Sequence, residues 1–163
     1  MYKLLFDSDA LIKISKAGFL MVVAECFEVF ITEEVYEETV KEGKKWFHPD
    51  ADEIERLIKA GKIKVFKKKY YKKRKKPKQN FGLGETSVFQ AYKKGSFIVT
   101  DDLSFSSYIT KEKIKNISPT HLIFILVKKG NLQKGRAYSC LEKLRPFIRK
   151  EVYELIKNDI KGE

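Results

Sequence analysis

Apolar residues along this chain fall into two patterns that take turns. Short runs of consecutive apolar positions, too brief for helices, predict buried strands at Tyr2–Phe6, Cys26–Ile31, Ile63–Phe66 and Phe97–Thr100, with a shorter one near Ile117. Between them the apolar residues recur every three to four positions, which predicts helices. Ser8 or Asp9 can cap a helix that carries Leu11, Ile12 and Ile14 as far as Gly18. Phe19–Glu25 reads as a second short helix, and Thr32 caps a third from Glu33 to about Glu42, with Gly43 as its stop. Another helix starts at Asp50 or Asp52 and runs through Ile54, Leu57 and Ile58 to Gly61. In the stretch Phe81–Phe105, Glu85, Val88, Phe89 and Tyr92 form an inward stripe. Lys93 and Lys94 complement that helix's C-terminal dipole, and Gly95 is placed to cap it. A short Ser104–Ile109 helix follows, then one opened by Pro119 and closed by Gly130. Two amphipathic helices end the chain, Lys134–Leu144 and one after Pro146 carrying Ile148, Val152, Leu155 and Ile156.

Short apolar strands alternating with helices predict an α/β fold, with a mainly parallel sheet of about five strands and helices on both faces. Right-handed connections bring the carboxyl ends of such strands to one rim, where ligand sites of these sheets lie. Asp7 directly follows the first strand, and Asp101 and Asp102 directly follow the fourth, so the topology places all three on that rim. Glu85 lies on the inward stripe yet in the first helical turn, where a helix N-terminus favours a carboxylate. A plainer reading makes Glu85 a helix-start acid and the aspartates turn residues. The convergence on one rim favours a site. Carboxylates gathered together repel unless a cation or proton neutralises them. An all-oxygen set with no nearby histidine or cysteine favours a hard divalent ion, Mg²⁺ or Mn²⁺.

Composition narrows the setting. The length of 163 residues suits one domain over 1–163, with a basic loop at 67–80 and C-terminal helices at 119–160. No apolar run approaches a membrane span, and Asp7 and Asp9 interrupt any secretory pattern, so a cytoplasmic protein without a membrane partner is expected. Cys26 and Cys140 lack metal-ligand spacing, and two histidines do not make a zinc site. The net charge of +12 is concentrated in Lys67–Lys78, KKKYYKKRKKPK. A block of like charge is often only a solvated loop. Here Lys67, Lys68, Lys69, Lys72, Lys73, Arg74, Lys75, Lys76 and Lys78 flank Tyr70 and Tyr71. That arrangement predicts a phosphate-binding arm whose two tyrosines stack on unpaired bases. An acidic metal site beside such an arm suits hydrolysis of a nucleic-acid phosphodiester.

The motifs carry a family resemblance. DSDALIKI after a first strand, VYEETV after a second, GLGETS opening a helix and IVTDDLSF after a late strand together resemble a PIN-domain nuclease. The C-terminal stretch resembles a prokaryotic PIN subgroup predicted to bind nucleic acid, so the likeness spans essentially the whole chain. It implies a three-layer α/β/α fold and cleavage of RNA with Mg²⁺ or Mn²⁺ held by acidic residues. It also implies kinship with VapC-type toxins, hence an antitoxin partner and a homodimer. Carried over, the catalytic and metal-binding acids are Asp7, Glu38 (the family's Val-Tyr-x position), Glu85 and Asp102. Asp101 and Asp9 are further metal ligands, and Ser8 and Thr100 are hydrogen-bonding supports. The alternative is a PIN-fold protein that binds nucleic acid without cutting it.

Overall fold

The computed structural model describes residues 1–163. Its sheet has five parallel strands in the order β3-β2-β1-β4-β5. These are β1 Lys3–Phe6, β2 Glu28–Thr32, β3 Ile63–Phe66, β4 Ser96–Val99 and β5 Asn116–Ile117. Between them run α1 Ser8–Ala17, α2 Leu20–Cys26, α3 Glu33–Tyr36, α4 Glu42–Lys45, α5 Pro49–Lys59, α6 Leu83–Ala91 and α7 Leu103–Lys111. After β5 come α8 Pro119–Lys128, α9 Lys134–Leu144 and α10 Lys150–Gly162. Helices cover both sheet faces, the three-layer α/β/α arrangement of a PIN-like fold.

β1 is central because it is apolar throughout its inner length. Leu4, Leu5 and Phe6 are almost fully buried, as a strand covered on both faces requires. Its register sets Leu5 beside Phe30 and Ile98, and Phe6 beside Val99. The edge strand β3 alternates more, with Lys64 exposed between Ile63 and Val65. From the helical layers, Leu11, Ile14, Ile54, Val88, Ile123 and Leu141 join the strands in a continuous core.

Several boundaries differ from the expected ones, each for a local reason. Asp7 caps α1, not Ser8 or Asp9: its Oδ1 accepts from the Ala10 N–H at 2.8 Å. Gly43 does not stop the third helix. Residues 33–45 stay helical through a π turn, Glu37–Lys41, and Gly43 is buried where an added Cβ would lie 2.8 Å from the Ala51 Cβ. Gly43 therefore serves close packing against α5. That helix begins at Pro49, whose missing N–H costs nothing in a first turn. α6 ends at Ala91, which leaves Tyr92 as its C-cap and Lys93–Gly95 in the turn before β4. Pro146 sits in a 3₁₀ turn, Arg145–Phe147, so Ile148 precedes α10; Tyr153, Ile156 and Ile160 are buried from that helix, while Leu155 is exposed.

Candidate active site

The sheet builds the centre of the site. β1 and β4 are neighbours, and pairing continues one residue past β1, where the Asp7 N–H donates to the Val99 carbonyl at 3.1 Å. Asp7 is thereby held beside Thr100 and only 3 % exposed. Burial pushes its carboxyl up to about 7, and the neighbouring charges of Asp101 and Asp9 add to the effect. The Thr100 side chain and the Ala10 N–H work against it by hydrogen-bonding the charged form.

Of the adjacent pair after β4, Asp101 is the one whose charge Asp7 senses. Lys13, half-buried on α1, places its Nζ 2.5 Å from Asp101 Oδ2 and 3.8 Å from Asp9 Oδ2. Asp102 is exposed and caps α7, accepting from the Phe105 N–H at 2.7 Å, while its own N–H donates to Thr100 Oγ1 at 3.2 Å. Asp101 is thus electrostatically linked to Asp7 and paired with Lys13, while Asp102 serves as a helix cap.

Two glutamates complete the rim. Glu38 lies in the π turn, a helix irregularity that often marks functional sites, and accepts a hydrogen bond from the Ser8 hydroxyl. Against it stands Gly84, buried in the first turn of α6: a Cβ there would fall 2.8 Å from Glu38 Oε2. Glu85 folds back over Gly82, where a Cβ would meet its Oε2 at 2.6 Å. The two glycines thus leave room for two carboxylates around one helix N-terminus, whose dipole favours negative charge. Thr32 at the end of β2 holds that helix start in place. Its Oγ1 lies 2.6 Å from Ser87 Oγ, and the Ser87 hydroxyl donates to the Gly84 carbonyl at 2.7 Å.

The structure brings Asp7, Ser8, Glu38, Thr100 and Asp101 into one linked set, sets Glu85 beside it through the Gly82–Gly84 turn, and turns Asp102 and Asp9 outward. As arranged, no three His, Cys, Asp or Glu side chains close into a metal cage. The donor chemistry nonetheless fits a hard divalent ion. The ligands are all oxygen, the central carboxylate is buried and destabilised by neighbouring charge, and a glycine turn leaves space for two more. Lys13, Gly84, Thr32 and Ser87 are parts of the site that the motifs did not single out. The double glycine before Glu85 was the available signal for Gly84, and a lysine one turn after Asp9 was the signal for Lys13.

A family profile described as a PIN domain matches residues 3–161. The chain belongs to the PIN-domain family. No curated protein and no solved structure matches it. PIN domains are generally nucleases and typically use divalent metals such as Mg²⁺ or Mn²⁺, so membership supports a nuclease acting on nucleic acid. No helix of this PIN domain is long and apolar enough to cross a membrane.

Its basic loop is held down at several points. Tyr71 is 2 % exposed, which corrects the expectation that it stacks on bases. Its hydroxyl donates to Glu34 and accepts from the Glu33 N–H at 3.2 Å, and burial together with Glu34 raises its pKa. Lys68 pairs with Glu34 at 3.0 Å. Arg74 donates to the Tyr92 carbonyl at 3.2 Å, and Gln90 Nε2 donates to the Arg74 carbonyl at 2.6 Å. The Lys78 N–H donates to the Tyr108 hydroxyl at 2.8 Å. Tyr71 and Arg74 thus act as anchors that lay the loop along α6. Tyr70 remains 64 % exposed, beneath Lys69. The side chains of Lys67, Lys72, Lys73, Lys75 and Lys76 face solvent.

Proposed function

We propose that this PIN domain is a Mg²⁺- or Mn²⁺-dependent endoribonuclease acting in the cytoplasm, with Asp7, Glu38, Glu85 and Asp102 as its catalytic acids and Asp101 and Asp9 as further metal ligands. The observation that carries the reading is the buried Asp7 on the β1–β4 rim, with Thr100 and Asp101 on one side and Glu38 reached through Ser8 on the other. A bound divalent ion supplies charge for a phosphoryl oxygen and a water of lowered pKa. The chain's own residues prepare for it. Ser8 fixes one Glu38 oxygen, Thr100 orients Asp7, and the α6 N-terminus favours the Glu38 and Glu85 carboxylates. Lys13 offsets the negative charge of Asp101. The exposed lysines of the 67–78 loop hold the RNA backbone, with Tyr70 at their edge. A VapC-type toxin paired with an antitoxin, and a homodimer, belong to the same proposal.

The test is cleavage of a panel of labelled RNAs and single-stranded DNAs with Mg²⁺, Mn²⁺ or EDTA, comparing the wild type with Asp7→Asn and Asp102→Asn. Metal-dependent cutting of RNA that both variants lose is the expected result; cutting retained in either removes that residue from the site. A second reading draws on the Lys13–Asp101 pair, which places a cation of the protein's own among the acids. In that reading the domain binds nucleic acid without cutting it. Salt-dependent binding, unchanged by EDTA and with no cleavage on any substrate, would establish it.

A further inference from the structure

Two hollows border α1, one through Ile12 and Lys16 and the other through Lys13, and each is lined by a rim acid. One, about 210 Å³, lies beside Glu38 and is walled by Lys16, Trp46 and His48, with Glu42 and Asp50 also in its lining. The other, about 380 Å³, begins at Thr100 and Asp101 and is walled by Phe147, Arg149 and His121. Lys16 joins them: it lines the first, and its Nζ sits 5.4 Å from the centre of the Phe147 ring at the second.

Large aromatic side chains are exposed on this surface. Trp46 is 67 % exposed, Phe47 92 % and Phe147 48 %. Phe47 is also held in the left-handed region, at φ 58. It occupies the position just past α4 in a Schellman turn, with the His48 N–H donating to the Gly43 carbonyl at 2.9 Å and the Phe47 N–H to Lys44 at 3.1 Å. Glycine is the usual and less strained residue there. A bulky aromatic kept in such a conformation and pointed at solvent is the kind of local cost that marks function. Cations alternate with these rings. Lys45 lies over Trp46 at 5.9 Å, Lys16 over Phe147, and Arg149 is exposed beside it. Lys16, Lys45 and Arg149 have no carboxylate partner.

We propose that Trp46, Phe47 and Phe147 are stacking platforms for the unpaired bases of a single-stranded polynucleotide laid across α1, with Lys16, Lys45 and Arg149 taking its phosphates. Aromatic faces interleaved with unpaired cations suit single strands, since every base has a face to stack and every link a charge to meet. A protein partner would more naturally call for a continuous apolar patch. The track passes the rim from Glu38 to Asp101, so a strand lying on it presents a backbone link to the acids. The inference rests on the nuclease reading for the purpose of that placement, but its test does not require cleavage.

Trp46 is the sole tryptophan, so its emission reports directly on the track. The experiment titrates the protein in EDTA at low salt with an unlabelled single-stranded oligoribonucleotide, its DNA counterpart and the duplex. Saturable quenching by the single strands, reversed by salt, is expected, and the two sugars show whether the 2′-hydroxyl matters. Anisotropy of a labelled strand should show Phe147→Ala and Phe47→Gly weakening binding at least fivefold, roughly the loss of one stacked base. Phe47→Gly should also raise Tm by a few degrees as the strain is relieved, which separates lost stacking from lost folding. Lys75→Glu in the basic loop should lower affinity yet leave the quenching at saturation unchanged. Binding with Trp46 unquenched and both phenylalanine variants unaffected would overturn the proposal. So would equal quenching by duplex, or emission that shifts with protein concentration alone, which would mean that a second copy covers the surface. Quenching without cleavage in Mn²⁺ keeps this inference and removes the nuclease reading; cleavage with Trp46 unquenched does the reverse.

Discussion

Replacing Asp7 with Asn isolates what the buried acid costs the fold and what it contributes to metal binding. Its carboxyl titrates at about 7 in the folded protein, against 3.8 without perturbation, with burial as the main cause. Between those values the folded chain holds a proton that the unfolded chain releases. Stability of the metal-free protein is therefore fully present below about pH 4, falls as pH rises toward 7, and levels off above it. At about 1.4 kcal/mol per unit, the ceiling on that loss is about 4 kcal/mol. Asn keeps the acceptor that caps α1 and cannot ionise. Asn and Asp are near-equal caps, and the lost dipole interaction is worth only about 0.3–1 kcal/mol. The relief of burial should win. In EDTA at pH 8, Asp7→Asn should be more stable than the wild type by about 1–4 kcal/mol, and the two should converge near pH 4. Mn²⁺ at a hundred times its dissociation constant should return about 2.7 kcal/mol to the wild type and nothing to the variant. Urea unfolding at pH 4 and 8, with and without Mn²⁺ at pH 8, measures all of this. A variant less stable at pH 8, or one with the wild-type pH slope, would show that Asp7 is an ordinary charged cap and that the argument is wrong.

Three further substitutions probe the surroundings. Gly84→Ala places a methyl 2.8 Å from Glu38 Oε2, so it should cut metal-dependent activity at least tenfold while circular dichroism and Tm change little, the better helix propensity of alanine offsetting the crowding by about 1 kcal/mol. Lys13→Gln removes the ammonium from Asp101; calorimetry should find tighter Mn²⁺ binding, because the ion no longer competes with it, and unaltered Mn²⁺ affinity would exclude Lys13 from the site. Tyr71→Phe deletes the hydroxyl that meets Glu34 and the Glu33 N–H and should cost about 1–3 kcal/mol in urea unfolding; faster proteolysis within 67–78 should accompany it if Tyr71 anchors the loop.

The fold was legible because period and punctuation agree. β3 and α9 stand at their expected bounds, and the strands lie close to where the apolar runs placed them. The rim position of Asp7 and Asp101 followed from parallel topology alone. Long-range contacts were not legible. Nothing local shows that Gly43 packs on Ala51, or that Gly84 makes room for Glu38 from a distant helix. Tyr71 was misjudged for the same reason. Its neighbours in sequence are lysines, but its partners are Glu33 and Glu34, which β2 and β3 bring alongside through their pairing. A charge run describes the solvent side of a loop and is silent about the side that faces the protein.

Most of the places where local rules are broken gather at one edge of the molecule. A carboxyl is buried at Asp7, a helix is widened into a π turn around Glu38, a lysine is drawn to Asp101, and Phe47 is held at positive φ at the end of the same helical run. Away from that edge the comparable departure is Lys113, at φ 59 in the turn after α7, and no buried side-chain polar atom lacks a hydrogen-bond partner. Natural sequences depart from local consistency mainly at functional sites, where stability elsewhere absorbs the cost. Four departures along one rim, fed by β1, β2 and β4 and flanked by α1, are hard to explain as independent defects of packing. They are explained together if the rim must hold a cation among acids and keep a single strand against it, and relief of the Asp7 burial or of the Phe47 backbone strain by substitution should then stabilise the fold and weaken the function.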